Sequence, residues 1–315
     1  MSKIRAILVD PDAPARLALG EKEEPTPAPG EALVRVAAIS LNRGEVRRAQ
    51  SAEAGFNPGW DLAGTVGRAA EDGTGPPEGA RVVGLMNPGA WAELVAVPTN
   101  ALAELPQGVS FEDASTLPVA GLTALYTLEE GCSLLGRGVL VTGASGGAGQ
   151  FALQLARDAG ARVVALVRRD EHEALARDAG AHEVAVGERG AAAEEHGPFD
   201  LIVDSVGGPV LGDALGMLAT NGTCVTFGTS AGNEVTFDAR DFYLTGCARL
   251  RGFILFHEVR ARPASDGLAR LLKLVADGRL KTNVSVREPW TEVGEVAQRL
   301  LARGYTGKAV LRVAG

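Results

Sequence analysis

The stretch Val139–Gly149, VLVTGASGGAG, constrains the fold more than any other part of the chain. An apolar run enters Gly143-Ala-Ser-Gly146-Gly147-Ala-Gly149, and a helical pattern follows at once. Ala148, Phe151, Ala152, Leu155 and Ala159 share one face of that helix, which stops at Gly160. A second apolar run, Val163–Val167, and a second helical pattern complete a βαβ unit of about 30 residues. A strand that turns through glycines into a helix gathers backbone N–H groups and the positive end of the helix dipole at one point. That suits a pyrophosphate, and glycine lets the backbone turn tightly and approach it. The spacing is Gly-x-x-Gly-x-x-Gly, so the βαβ context carries the reading more than the glycines do. Ser145, Gly146, Gly147, Ala148 and Gly149 form the expected cradle of a dinucleotide.

The position after the second strand selects between nucleotides. An Asp or Glu there would hold a ribose 2′-hydroxyl, whereas this chain has Arg168 and Arg169. A guanidinium can bind a 2′-phosphate through paired hydrogen bonds. Cations at the start of the next helix, near Asp170, are disfavoured by its dipole, which an anionic ligand would offset. The expected cofactor is therefore NADPH. The plainer alternative is a solvated pair partly neutralised by Asp170, Glu171 and Glu173.

Around this unit the chain changes character twice. Residues 1 to about 118 alternate strand candidates (Ile4–Val9, Ala32–Ile39, Leu62–Val66, Arg81–Leu85, Trp91–Val97) with Pro/Gly turns, as in a small barrel-like antiparallel fold. A helix is expected over Gly121–Glu130. Then Val139–Thr142, Val163–Val167, Glu183–Val186, Leu201–Asp204, Cys224–Phe227 and Phe253–Phe256 alternate with helices. Continuous apolar strands of this kind predict a parallel, doubly wound sheet. Ala191–Glu195 reads as a short surface segment. From about residue 258, helices over Leu268–Asp277 and Thr291–Arg303 precede a last strand, Ala309–Val313. The expected class is α/β: a Rossmann sheet over 119–257, inserted into a β-rich domain formed by 1–118 and 258–315.

Composition narrows the partners. A net charge of −8 argues against nucleic acid and against anionic membrane surfaces. No apolar run reaches the roughly 18–20 residues of a membrane span, and the N-terminus lacks a signal-peptide layout, so the cytoplasm is expected. Cys132, Cys224 and Cys247 form no CxxC pair and read as small buried hydrophobes. His172, His182, His196 and His257 lack ligand spacing and read as surface residues, so no metal site is expected.

Together the motifs resemble the medium-chain dehydrogenase/reductase superfamily, and within it the zinc-free quinone oxidoreductase branch. The carriers are Leu41-Asn-Arg43, Gly59-Trp-Asp-Leu-Ala-Gly64, Gly121-Leu-Thr-Ala124, Thr142–Gly149, Asp204-Ser-Val-Gly-Gly208, Phe227–Gly232, Gly252-Phe-Ile-Leu255 and Gly307-Lys308, in order along nearly the whole chain. The resemblance implies a GroES-like catalytic domain around the nucleotide domain, and homodimers joined edge to edge through the nucleotide-domain sheets. Zinc relatives carry a Cys ligand where this chain has Asn42 and Gly-His-Glu where it has Gly59-Trp60-Asp61, so no zinc is expected and Asp61 takes a structural role. By the same resemblance Asn42 and Thr123 flank the nicotinamide. Gly228, Thr229 and Ser230 follow a strand end where ligands gather, Phe253 and Leu255 approach the nicotinamide, and Lys308 is a further cofactor contact. Core or dimer-edge packing would equally explain Phe253 and Leu255.

The chemistry these readings imply is hydride transfer to an electrophilic small molecule, a quinone or an α,β-unsaturated carbonyl. Asn42 is the first choice for a polar contact to the acceptor oxygen, with Arg43 or Arg47 behind it. Arg43, Arg47 and Arg48 also fit a solvated helix face; the sharper reading is a cationic pocket mouth. Two alternatives stand: an enoyl or enone reductase in a biosynthetic pathway, and a non-catalytic NADPH-binding structural or sensor protein.

Overall fold

The computed structural model describes residues 2–313. Two compact units emerge: one takes the chain up to Leu122 and again from Val259, the other runs from Thr123 to Glu258.

In the first unit, β1 (Lys3–Val9) and β2 (Leu17–Glu23) form a hairpin. β3 (Glu31–Ser40), β4 (Asp61–Arg68), β5 (Arg81–Leu85), β6 (Leu94–Pro98) and β7 (Leu102–Glu104) follow in antiparallel pairings. Ala32, Val34 and Val36 of β3 alternate inward, the period-2 signature of a half-buried strand. The hairpin strand β2 escapes the sequence reading because LALGEKE ends in charge and never alternates cleanly. The expected strand from Trp91 starts three residues late: Trp91 is fully buried, but the ladder with β3 begins at Leu94.

The second unit contributes β8 (Gly138–Thr142), β9 (Arg162–Val167), β10 (Glu183–Val186), β11 (Phe199–Asp204), β12 (Leu218–Thr226) and β13 (Arg249–Gly252). All pair in parallel, in the order β10-β9-β8-β11-β12-β13. Every residue of β8 is buried, as a sheet covered on both faces requires. This is the doubly wound order whose crevice lies at the carboxyl ends of the central strands.

Three expectations need correction in this unit. The sixth strand is Arg249–Gly252, and Phe253–Phe256 instead turns into the helix Leu255–Ala261. The apolar run marks a buried turn, because Phe253 and Leu255 are covered while Ile254 is exposed. The segment around Ala191–Glu195 is a 3-10 helix, Gly190–His196, whose Ala193 packs in the core. Cys132 and Cys247 are exposed rather than buried; only Cys224, within β12, is covered.

β14 (Val284–Pro289) and β15 (Lys308–Arg312) return to the first unit. β15 pairs antiparallel with the C-terminal end of β3, aligning Val310 with Ser40, while β6 holds its N-terminal end. β4 aligns Asp61 with Ser40 on the other side. These registers bring Ser40, Asp61 and Lys308 to one end of the sheet.

Candidate active site

The first unit carries a buried polar network at that end. Asn42 precedes the helix Arg43–Ser51, and Glu45 reaches back to accept from the Asn42 backbone N–H (2.6 Å), half of a capping box. The Asn42 side-chain amide donates to Asp61 Oδ2 (2.6 Å) and Glu45 Oε1 (3.1 Å). Its carbonyl oxygen accepts from Lys308 Nζ (2.6 Å). Lys308 Nζ also meets the Leu41 carbonyl (3.0 Å) and Asp61 Oδ2 (3.4 Å). Ser40 Oγ donates to Asp61 Oδ2 (2.6 Å) and the Val119 N–H to Asp61 Oδ1 (2.9 Å). Val119 lies in the first turn of the helical segment opened by Leu117, where N–H groups have no intrahelical partner, so Asp61 stabilises that start.

This network fulfils the structural role expected of Asp61 and changes the expectation for its neighbours. An amide has two hydrogens and an ammonium three, and here each has an acceptor inside the protein. Asn42 therefore has no spare donor for an acceptor oxygen, and Lys308, at 3 % exposure, none for a cofactor. Arg43 turns away as well, donating to the Leu301 carbonyl (3.0 Å). Arg47 is exposed on the helix, and Arg48 stacks on Phe56 at 5.1 Å. Sequence reasoning missed Glu45. Burial above all, then the Asp61 charge, pushes its carboxyl well above the usual range, although Lys308 and its bonds with Asn42 oppose the shift. Its Oε2 is buried without a hydrogen-bond partner, as a neutral carboxyl tolerates better than a charged one.

The second unit carries the glycine turn. Gly143 has φ +60°, the left-handed region, and a Cβ there would lie 2.3 Å from Ser205 Oγ. A Cβ on Gly149 would sit 2.5 Å from the Gly143 carbonyl, so the turn and helix close on each other only without side chains. The Gly146 N–H is spent on the Gly143 carbonyl (3.0 Å). The first backbone bond of the helix Gly147–Asp158 runs from Gln150 N to Gly146 O (3.0 Å), which leaves the amides of Gly147, Ala148 and Gly149 as the orphan donors of its first turn. Gln150, absent from the sequence-derived candidates, is buried and ties its Nε2 to the Ser145 carbonyl (3.0 Å), fixing the turn.

Asp204 welds the strand ends beside that turn. Its Oδ1 accepts from Thr142 Oγ1 (2.6 Å) and the Val206 N–H (3.2 Å). Its Oδ2 accepts from Thr226 Oγ1 (2.9 Å) and the Gly207 N–H (3.1 Å). One carboxylate thus joins the ends of β8, β11 and β12. The Gly228–Ser230 loop leaves β12 here, and a Cβ on Gly228 would come within 2.5 Å of the Ser205 carbonyl. Arg168 and Arg169 follow β9; Arg169 pairs with Glu171 (2.9 Å), while Arg168 is exposed with no hydrogen bond or ion pair among the described residues. Thr123 is buried at the start of the second unit, and the Phe253 N–H donates to the Thr226 carbonyl (2.9 Å).

Comparison with known proteins decides what this arrangement belongs to. Residues 28–107 match the family model described as alcohol dehydrogenase GroES-like domain, and residues 147–272 the model described as zinc-binding dehydrogenase. Prostaglandin reductase-3 of Bos taurus is 30% identical over 82% of this chain and 73% of its own length. The chain belongs to the medium-chain dehydrogenase/reductase superfamily, among its quinone oxidoreductase-like members. Quinone oxidoreductase-like protein 2 of Bos taurus is 28% identical over 92% of this chain and 88% of its own. A mycobacterial structure solved with NADPH superposes with a TM-score of 0.87 at 28% identity, covering 98% of this chain and all of that one. This dehydrogenase/reductase is thus an oxidoreductase with a Rossmann-like parallel sheet and a GroES-like β-rich domain. Among the described residues no helix is long and apolar enough to cross a membrane.

The second family description raises the question of zinc. Among the described residues no three His, Cys, Asp or Glu side chains gather as metal ligands. Asn42 and Trp60 stand where the resemblance places Cys and His, and the Lys308 ammonium already sets its charge against Asn42 and Asp61. A zinc ion does not fit this place.

Proposed function

We propose that this chain is an NADPH-dependent reductase that passes hydride to a quinone without the help of a metal. The observation that carries the proposal is the closed network around Asn42 and Lys308, in which every side-chain donor of the pair is already committed. A site without a spare donor suits an acceptor that spreads incoming charge over its own conjugated system. A quinone does so, and water completes the hydroquinone with a proton. NADPH, when bound, supplies the hydride.

The remaining work belongs to the chain. The glycine turn fits a dinucleotide, because Gly143 and Gly149 leave no room for a side chain and the first-turn amides of Gly147, Ala148 and Gly149 are left for the pyrophosphate. Arg168, unpaired, is the group for the 2′-phosphate, while Arg169 is already matched by Glu171. Gly228, Thr229 and Ser230 line the same carboxyl edge of the sheet. An enone acceptor is the second reading, favoured by the likeness to a prostaglandin reductase.

We further propose that a second copy of the chain covers the outer strand β13. Leu250 on that strand, Ile254 just beyond it, and Tyr243 and Leu244 of the preceding helix are large exposed hydrophobics, and an open strand edge flanked by exposed apolar side chains invites pairing.

A steady-state screen of NADPH oxidation tests the acceptor. Turnover with para-quinones alone supports the proposal. Turnover with enones or enoyl thioesters but not quinones shifts the assignment to the second reading. Tight NADPH binding without turnover on any acceptor would make the chain a non-catalytic binder.

A further inference from the structure

We infer that Lys308 is a tethered cation, lodged in an oxygen cage that would otherwise take a free monovalent cation, and that it fixes the orientation of Asn42. The inference concerns the network itself and holds whichever acceptor is reduced. The ammonium faces oxygen ligands: the Leu41 carbonyl at 3.0 Å, Asn42 Oδ1 at 2.6 Å and Asp61 Oδ2 at 3.4 Å. One of them carries formal charge, and both partners of the ion pair are buried, at 3 % and 0 % side-chain exposure. A backbone carbonyl, an amide and a carboxylate are oxygen donors of the kind that ammonium or potassium takes. The tether is the Lys308 stem at the start of β15, and the cage is fixed by the pairings of β15 and β4 with β3.

The consequence for Asn42 follows from donor and acceptor matching. Lys308 can only donate, so the Asn42 oxygen must face it and the amide hydrogens must face Asp61 and Glu45. Without the cation the Asn42 oxygen loses its donor, only the contacts of the amide hydrogens with Asp61 and Glu45 hold the side chain, and the buried Asp61 carboxylate loses its counter-charge.

The test is Lys308→Ala, which empties the cage, against Lys308→Met, which fills it with an uncharged stem. Thermal unfolding and turnover are measured in potassium, ammonium and tetramethylammonium chlorides at matched ionic strength. In Lys308→Ala the folding constant rises saturably with potassium or ammonium, about 100-fold when the cation reaches 100 times its dissociation constant. Turnover recovers in parallel. Tetramethylammonium, too large for the cage, leaves both unchanged, and wild type and Lys308→Met do not respond. No response in Lys308→Ala, an equal response to all three salts, or restored folding without restored turnover overturns the inference. Should Lys308→Ala not accumulate as folded protein, nitrogen-15 spectra of lysine-labelled wild type decide. A slowly exchanging ammonium signal absent from Lys308→Met upholds the cage; rapid exchange like that of exposed Lys3 refutes it.

Discussion

Replacing Asp204 by asparagine should destabilise the second unit by about 2–4 kcal/mol, a figure that follows from counting donors. The carboxylate is fully buried and accepts from two hydroxyls, Thr142 and Thr226, and two backbone N–H groups, Val206 and Gly207. An asparagine amide replaces one oxygen with an NH2 group. The hydroxyl facing that group can rotate and accept instead of donating, but the backbone N–H beside it cannot. Whichever way the amide turns, one N–H loses its acceptor, at about 1–3 kcal/mol, and the other bonds lose their charge assistance. The assay must see this unit alone. Trp60, Trp91 and Trp290 all lie in the first unit, so tryptophan fluorescence reports the wrong part. Cys224 lies in β12, and burial followed by the Asp204 charge pushes its thiol well above the usual range, so it labels only on unfolding. Pulsed alkylation of Cys224 across a urea series should show a midpoint lower by about 1–2 M, taking a urea slope of about 2 kcal/mol per molar. An unchanged midpoint would show that the four bonds contribute nothing net, and the account of Asp204 as a weld would be wrong.

Other perturbations probe the remaining parts. Arg168→Ala should weaken NADPH binding by about 10–100-fold, the loss of one charge-assisted contact, while leaving NADH unaffected; fluorescence titration with both nucleotides checks it, and equal affinities in wild type would remove the phosphate assignment. Glu45 has a folded pKa raised above its ordinary 4.5. The folded state therefore holds the extra proton, and this contribution is complete below that value and lost as pH rises through the raised one. Glu45→Gln should thus converge with wild type at low pH and gain on it as pH climbs, in melts across a pH series; a variant that falls behind as pH rises contradicts the sign. Leu250→Lys at the β13 edge should convert a dimer to a monomer in light scattering, and a wild type already monomeric at high concentration defeats the second-copy proposal.

The fold was legible where a strand or helix advertised itself by its own residues. β8 is apolar throughout and runs into glycines, so both its burial and the turn could be read directly. The misses share a cause. β2 and β14 are strands because a neighbour pairs with them, and their charged residues carry no pattern of their own. Phe253–Phe256 misled for the opposite reason: its apolar residues cover a turn, and apolarity alone does not distinguish a buried strand from a buried bend.

The glycine turn of the second unit is local in sequence and could be read from it; the polar network of the first unit is not. Asn42, Asp61 and Lys308 lie far apart along the chain and meet only because β3 takes β4 on one edge and β15 on the other, in one register each. A shift of one residue in either pairing would turn Asp61 or Lys308 to the opposite face. Glu45 was invisible for the same reason: a glutamate three residues into a helix looks like an ordinary capping residue, and only the arrival of Asp61 and Lys308 makes it a buried acid. The motif order pointed to Asn42, and could not show that its hydrogens are spent. Whether a polar residue is available to a substrate depends on how many of its donors the fold has already used, and that count belongs to strand register more than to any motif.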